Sequence, residues 1–564
     1  MKQARLSSEQ LKRRIAAAQG RLECDLLLKN VQFLDVFSCE WRRGDVGIID
    51  GVIVGLESGL TAKRVEDARG KWLVPGFIDA HVHVESSLLS PANFEKEVLR
   101  LGTTTAVCDP HELANVAGVN GIQYFLEASA AMSLDLRVML SSCVPATHLE
   151  TNGGGKISAS DLLPLSRHPK ALGLAEMMNV PGVLYEDPDV IEKLELFSSV
   201  PIDGHCPLVT GAALSAYAAA GISSCHETTR PEEALEKLSK GISVWIREGS
   251  VAKDLNALAP LLNMARSPAM GFCTDDRNPL DTFNEGHIDY LVRRAIALGV
   301  PAEVAFRSAS WSVARHYGMS GKGAVAPGYT ADLVLLNDAK TVAIDRVLRA
   351  GVFTSEIVPR PIHASFDVTN TVKAHRPAEV DLEGPAGNVH VIEVKEGSIL
   401  TGRRIARSDS PGVAKLSVLA RYGTNAKPCN AYVHGFGDGF SGAIASSVGH
   451  DSHNLIVVGT NTKDMATALA SLIECGGGFC VVRDATVLSQ LELPFGGLMS
   501  PEPASVIAKR LMHLREAART VRCEIPEPFL QLAFLSLPVI PSLKLTDRGL
   551  VDVEAFKIID VRAA

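Results

Sequence analysis

The chain has 564 residues, 46% hydrophobic and 21% charged, the balance of a soluble globular protein of about two to four domains. Its net charge of -8 and its lack of a long basic block argue against a protein that coats nucleic acid. No apolar run approaches the ~18 residues of a membrane span, and the start of the chain is charged throughout with no apolar signal core, so a cytoplasmic protein is expected. The 11 Cys are scattered and contain no C-x-x-C pair, which speaks against a disulfide framework or a zinc ribbon. Cys206, Cys225 and Cys273 are expected as small buried core residues.

In chain order, Lys12-Arg13-Arg14 fall in a polar start that reads as a helix with a solvated face. Residues 22–73 read as short strands, with Asp50-Gly51 as a hairpin turn. From 74 to 318 strands and helices alternate. The strand candidates are Phe77–His83, Thr104–Asp109, Arg137–Pro145, Ala171–Met177, Pro201–Cys206, Ser223–Glu227, Ser243–Glu248 and Met270–Asp275. Helical stretches lie between them at Pro91–Leu101, Asp187–Ser198, Pro231–Lys240 and Asp254–Ala265, each opening on a good N-terminal residue. This is the arithmetic of a (β/α)8 barrel. A doubly wound open sheet is the alternative, but only the barrel brings every strand end together. Ala326-Pro-Gly-Tyr-Thr-Ala-Asp-Leu-Val-Leu-Leu and residues 340–366 return to short strands that can pair with 22–73. Residues 367–564 are Gly-rich, with strands at Val389–Val394, Leu455–Val458 and Phe479–Arg483 and helices at Asp464–Glu474 and Ala504–Ala518.

The strand ends carry the chemistry. The first candidate strand ends in His81-Val-His83, and residues two apart on a strand share a side. Later ends offer Asp109-Pro-His111-Glu112, Glu176, His205, His226-Glu227 and Asp275-Asp276. A lone His is usually structural, and a lone Asp after a strand is usually a helix cap. Recurrence of such groups at one end of one barrel, where barrel enzymes place their active sites, is a different matter. Two divalent metals held by imidazole and carboxylate need about six to eight donor atoms. His81, His83, Glu176, His205, His226 and Asp275 supply them, with Glu176 able to bridge and Asp275 able to take a proton from the nucleophilic water. The set lacks an obligatory thiolate and suits Mn(II) or Fe(II), with Zn(II) also accommodated.

The chain resembles the amidohydrolase superfamily, and within it the adenine deaminase family. The matching segments are His81-Val-His-Val-Glu-Ser-Ser, Cys108-Asp-Pro-His-Glu-Leu-Ala-Asn-Val, Leu174-Ala-Glu-Met-Met-Asn-Val-Pro-Gly-Val, Asp203-Gly-His, Ser224-Cys-His-Glu-Thr and Cys273-Thr-Asp-Asp-Arg. Gly449-His-Asp-Ser-His-Asn-Leu-Ile-Val-Val-Gly and Gly496-Gly-Leu-Met-Ser resemble that family's extra domain. The fourth strand bears Glu176 and no Lys at that position, which weakens a cyclic-amide hydrolase reading.

The resemblance implies an α/β fold: a (β/α)8 TIM-like metal-dependent barrel at 74–318, a small β-sandwich domain from both flanks (1–73 plus 319–366) and a C-terminal α+β domain at 367–564. It implies a binuclear metal centre and hydrolytic deamination of adenine to hypoxanthine and ammonia, a purine-salvage reaction. Asp275 would shuttle protons, Glu112 with a raised pKa would protonate N1 of the ring, and His111 would orient the ring or stabilise developing charge. Asp109 would contact the base or fix its neighbours, and Glu85 would contact substrate or orient a ligand imidazole. His450-Asp451-Ser452-His453 lies in a Gly-flanked loop, which is either a structural turn or a segment that closes over the pocket. The expected partner is the small molecule adenine, with no nucleic acid and no membrane, and the expected assembly is a homodimer. Cyclic amide hydrolysis and deamination of another 6-substituted purine remain the alternatives. The P-C-x-x-C signature of the small cytidine-type deaminases is missing.

Overall fold

Eight short parallel strands surround the middle of the chain in the computed structural model, which describes residues 6–424 and 427–563. They are β1 (Phe77–Val82), β2 (Thr103–Cys108), β3 (Asp135–Leu140), β4 (Ala171–Met177), β5 (Ile202–Gly204), β6 (Ser224–Cys225), β7 (Ser243–Arg247) and β8 (Met270–Cys273). Every residue of β1, β2, β7 and β8 is buried, because helices cover the outside while side chains fill the inside. This is why these segments read as apolar runs rather than as alternating patterns.

β1 to β5 form one ladder and β6 to β8 another. At one seam the Asp275 N–H donates to the His81 carbonyl at 3.0 Å, and Val82 bridges to Asp275. At the other, the Ser223 N–H donates to the Ile202 carbonyl at 3.0 Å. Both seams join the sheet edges, so the strands close into a TIM-barrel-like ring and the polar strand ends meet at one mouth.

Helices Pro91–Arg100, Pro188–Leu196 and Pro231–Ser239 each begin on a proline, which suits the first turn because its missing N–H would be unpaired there anyway. The helix expected over Asp254–Ala265 is only the short Leu255–Leu258 followed by a 3-10 turn at Ala259–Leu261. Pro260 removes a donor and its ring clashes with the preceding turn, so the apolar periodicity there does not extend the helix.

The two flanks share one eight-stranded sheet. Cys24–Asp35 runs beside Ala62–Asp67 over its first half and Trp72–Pro75 over its second. Trp72–Pro75 then pairs antiparallel with Leu333–Asp338, which joins the N-terminal flank to the segment after the barrel. At the hairpin turn Asp50 and Gly51 have φ of 51° and 73°, the left-handed pair that a two-residue turn requires.

The C-terminal region holds a second eight-stranded sheet, with helix Thr462–Cys475 packed against it. A three-stranded sheet, Leu543–Thr546, Gly549–Asp552 and Lys557–Ile559, follows. One continuous apolar cluster runs from Leu113 and Leu140 of the barrel to Val448, Leu498 and Phe529 of this region. Each such fully buried side chain contributes about 1.5–3 kcal/mol. Polar ties add to it: Thr546 Oγ1 donates to the Leu149 carbonyl at 2.6 Å, and Asn93 Nδ2 to that of Pro501 at 2.7 Å. The C-terminal region therefore packs on loops at the mouth of the barrel.

Candidate active site

His81 sits inside β1 and His83 one residue past its end, and their Nε2 atoms lie 3.1 Å apart. Glu176, near the end of β4, places Oε1 at 3.6 Å from His81 Nε2 and 3.4 Å from His83 Nε2. Asp275, just beyond β8, places Oδ1 at 3.5 and 3.2 Å from the same two nitrogens. Its φ of 53° turns the chain out of the strand while its N–H still pairs with β1. Metal–ligand bonds of about 2.0–2.2 Å put tetrahedral donors about 3.3–3.6 Å apart, close to the 3.2–3.6 Å at which each imidazole nitrogen stands from the two carboxylate oxygens.

A second group uses the other oxygen of Glu176. His205 Nδ1 lies 2.6 Å from Oε2 and His226 Nε2 lies 3.3 Å from it. The Glu176 carboxylate thus faces both groups, one oxygen to each. His83 Nδ1 lies 3.0 Å from the Asp109 carbonyl, which takes its proton and leaves Nε2 free to bind.

The electrostatics ask for positive charge. Burial pushes the Asp275 and Glu176 carboxyls up, but the surrounding imidazoles outweigh it and hold both well below the usual carboxylate range. Burial likewise opposes charge on His83 and His205, yet the carboxylates raise both, His205 to about 9. A dication meets the same demand, and metal binding displaces such protons. The residues present therefore fit a divalent metal centre.

Arg247, the last residue of β7, is 3% exposed. It holds Asp275 Oδ2 at 3.2 Å, pairs with Glu227, and contacts Asp254 Oδ2 at 3.1 Å. Arg247 lines the cleft and was not among the expected site residues, and Glu227 and Asp276, read only as polar strand ends with no role assigned, line it too. Their signal is the strand-end position itself, shared with the histidines. The opposite wall is apolar, built from Ile399, Phe534, Leu537, Val539 and Ile540 of the C-terminal region. No motif marks those residues in the sequence.

His111 and Glu112 both line the cleft. His111 Nδ1 lies 3.0 Å from Asp109 Oδ2 and 3.3 Å from Glu176 Oε1. Glu112 differs from expectation. Burial raises its pKa, but His450, His453 and His111 overturn that and hold it well below the carboxylate range. It is an anion clasped between His450 Nδ1 and His453 Nε2, not a neutral acid ready to protonate a ring. The loop at 449–454 thus reaches the mouth of the barrel, and His450 and Asp451 line the cleft.

Asp109 and Glu85 lie outside the cleft's described lining. Asp109 spends its carboxylate on the His111 N–H and ring and on Ser141 Oγ, at 3.0–3.1 Å. Glu85 Oε1 accepts from the Leu113 N–H at 3.0 Å, and burial raises its pKa to about 7. Both carboxyl groups lie behind the cleft's lining, where Asp109 fixes its neighbour His111, one of the two roles expected of it, and Glu85 holds the Leu113 N–H. Cys206, Cys225 and Cys273 are buried free thiols, as expected.

Residues 72–354 match the amidohydrolase family and residues 391–557 match the adenine deaminase C-terminal domain. The chain is 48% identical over 570 residues to the adenine deaminase of Methylobacterium nodulans, covering 98% of this chain and 99% of that one. The chain belongs to the adenine deaminase family. The adenine deaminase of Gluconobacter oxydans is 47% identical, with 97% of this chain and 99% of that one covered. Among solved structures, N-acetyl-D-glucosamine-6-phosphate deacetylase from Mycobacterium smegmatis aligns at 19% identity and a TM-score of 0.46, covering 58% of this chain and 99% of that one. Membership of the adenine deaminase family, and of the wider amidohydrolase family, carries with it a hydrolase activity and binding of a divalent metal.

Proposed function

We propose that the cleft deaminates adenine hydrolytically to hypoxanthine and ammonia. The observation that carries this reading is the pairing of two sets of lining residues: a cluster of imidazoles and carboxylates from the barrel, and apolar side chains from the C-terminal region. Phe534 stacks on His450 at 4.7 Å and 15°, which fixes both rings at the edge of the cleft, where a planar heterocycle can rest against them.

His81, His83, Glu176 and Asp275 would hold one divalent cation and Glu176, His205 and His226 a second, judged from their spacing. Such cations supply Lewis acidity that makes water ionisable near neutral pH. Imidazole and carboxylate donors favour Mn(II) or Fe(II), and Zn(II) also fits. Asp275 keeps one oxygen among the histidines and has the other held by Arg247. This orients it to take the proton of the attacking water and pass it to the departing amine. Glu112 is ionised and already shared between two imidazoles, so we assign protonation of the ring to Asp276 instead. Burial and the neighbouring Asp275 charge push the Asp276 carboxyl up, and it lines the same cleft. His111 borders the substrate space with its ring fixed by Asp109.

The division of the chain follows the same reading: flanking residues 1–73 plus 319–366, the barrel at 74–318, and a C-terminal domain at 367–564 that supplies the second wall. Purified protein loaded with Mn(II) is expected to release ammonia from adenine with a change in the ultraviolet spectrum. Absence of adenine turnover, alongside fast hydrolysis of a cyclic amide, would overturn this reading.

A further inference from the structure

We propose that Lys544, which lies outside the cleft's described lining, is a positioning residue for the substrate: it ties the two chain segments that supply the apolar lining to one point on the C-terminal three-stranded sheet. The inference rests on the deaminase reading for the identity of the bound ring, and the tie itself does not.

The apolar lining is not an extension of the main core. Phe534, Leu537 and Ile540 form a small cluster of their own, with Ile399 and Val539 packed against it. Ile399 comes from one stretch of chain and 534–540 from another, far along the sequence. The second stretch has only the 3-10 turn Phe534–Ser536 as regular structure. A satellite cluster of this kind has few apolar neighbours to hold it, so its place depends on polar ties.

Lys544 supplies the tie that reaches both stretches. It lies on the strand Leu543–Thr546 and is fully buried. Its Nζ donates to the Ile399 carbonyl at 3.0 Å and to the Phe534 carbonyl at 2.8 Å. Other bonds join the same stretches to one another: Gln531 Nε2 donates to the Ser398 carbonyl at 2.9 Å, and the Thr401 N–H to the Pro541 carbonyl at 3.0 Å.

The choice of residue is costly unless the tie matters. A buried amine without a counter-charge loses its hydration. Among the described residues no carboxylate pairs with Lys544, and burial alone pushes its pKa down to about 7. A methionine would fill similar space without that cost. What lysine adds is a long stem ending in several N–H donors, enough for two carbonyls on separate segments whether the nitrogen is charged or neutral. Phe534 carries the effect to the cleft. Its ring stacks on His450 at 4.7 Å, and the neighbouring Ala533 carbonyl accepts from the His450 N–H at 3.1 Å. Loosening the Phe534 backbone therefore shifts a ring that the substrate rests against, and leaves the imidazoles on the barrel strands in place.

Lys544→Met and Lys544→Gln in the full chain, loaded with Mn(II), test this. Lys544→Met is expected to raise KM for adenine about tenfold with kcat within about twofold, the sign of binding lost without loss of the chemistry. The Kd for hypoxanthine, read by isothermal titration, should rise by the same factor. Lys544→Gln keeps part of the donor set and should fall between wild type and Lys544→Met. Backbone hydrogen exchange should quicken at 396–401 and 534–542 and stay unchanged in the barrel strands. An unchanged KM, a fall in kcat with KM unaltered, exchange that quickens evenly along the chain, or failure of both variants to fold would overturn the proposal and leave Lys544 with a general stabilising role. Wild type that turns over no adenine counts instead against the deaminase reading, and the exchange pattern is read whether or not it does.

Discussion

Lys237→Met should destabilise the barrel and slow turnover without touching the cleft. The Lys237 ammonium is fully buried, on helix Pro231–Ser239. Its Nζ donates to Glu233 Oε1 at 2.7 Å, to the Glu227 carbonyl and Thr228 Oγ1 at 3.0 Å each, and contacts Cys225 Sγ at 3.2 Å. Removing it leaves Glu233, 6% exposed, as a buried carboxylate without its cation. Breaking one side of a buried pair costs about 3–5 kcal/mol. For a cooperative unit of about 150–250 residues, each kcal/mol lowers Tm by about 2–4 °C, so a fall of about 6–20 °C is expected. Function should suffer too. β6 is only Ser224–Cys225, too short to fix His226 and Glu227 by its own ladder, and Lys237 is the tether on the carbonyl of Glu227. A drop in kcat larger than any rise in KM is expected. Thermal unfolding followed by far-ultraviolet circular dichroism gives the stability term. Glu233→Gln added to Lys237→Met removes the stranded charge and should recover a substantial part of the lost Tm. If Lys237→Met melts within about 2 °C of wild type, or the second substitution recovers nothing, the buried-pair reasoning is wrong.

Asp275→Asn should lower kcat for adenine by about 10²–10⁴, the usual worth of a positioned acid–base group, while elemental analysis still finds metal bound; near-normal turnover would remove Asp275 from the proton path. Phe534→Ala deletes the ring that stacks on His450 and lines the apolar wall, so KM for adenine should rise about tenfold, the equivalent of ~1.4 kcal/mol, and an unchanged KM would mean the purine does not rest there. His287, 1% exposed, sets a pH dependence of stability: burial pushes its pKa down to about 3, against about 6.5 in the unfolded chain. Between those values the unfolded chain takes up a proton that the folded chain refuses, so this contribution is intact above pH ~6.5 and is lost by about 1.4 kcal/mol per unit as pH falls towards 3. His287→Gln should flatten Tm against pH over that acid range, and equal slopes for the two proteins would refute the assignment.

The residues legible in the sequence are those whose role is set by the strand that carries them. An apolar run covered on both sides has to stop where the barrel meets solvent, so His81, His83, Glu176, His205, His226 and Asp275 stand out as polar ends of buried strands, even where β5 and β6 are only three and two residues long. Arg247 obeys the same rule at the end of β7, and a uniform reading of strand ends finds it beside Asp275. Glu112 does not yield to such reading. Its position after Pro110 is local, but its protonation is set by His453, 341 positions away, and by His450. The direction of a buried carboxyl's pKa belongs to its partners, and desolvation alone predicts the opposite sign. Glu85 shows the same limit, since only the folded chain reveals that its carboxylate is occupied by the Leu113 N–H. The apolar wall is the extreme case. Phe534, Leu537 and Ile540 lie in a proline-interrupted stretch with no helical or strand period, and they reach the cleft only because the C-terminal sheet docks on the barrel mouth. Metal binding is thus written at strand ends within one domain, whereas the shape that receives a flat ring depends on the meeting of two, which no local pattern records.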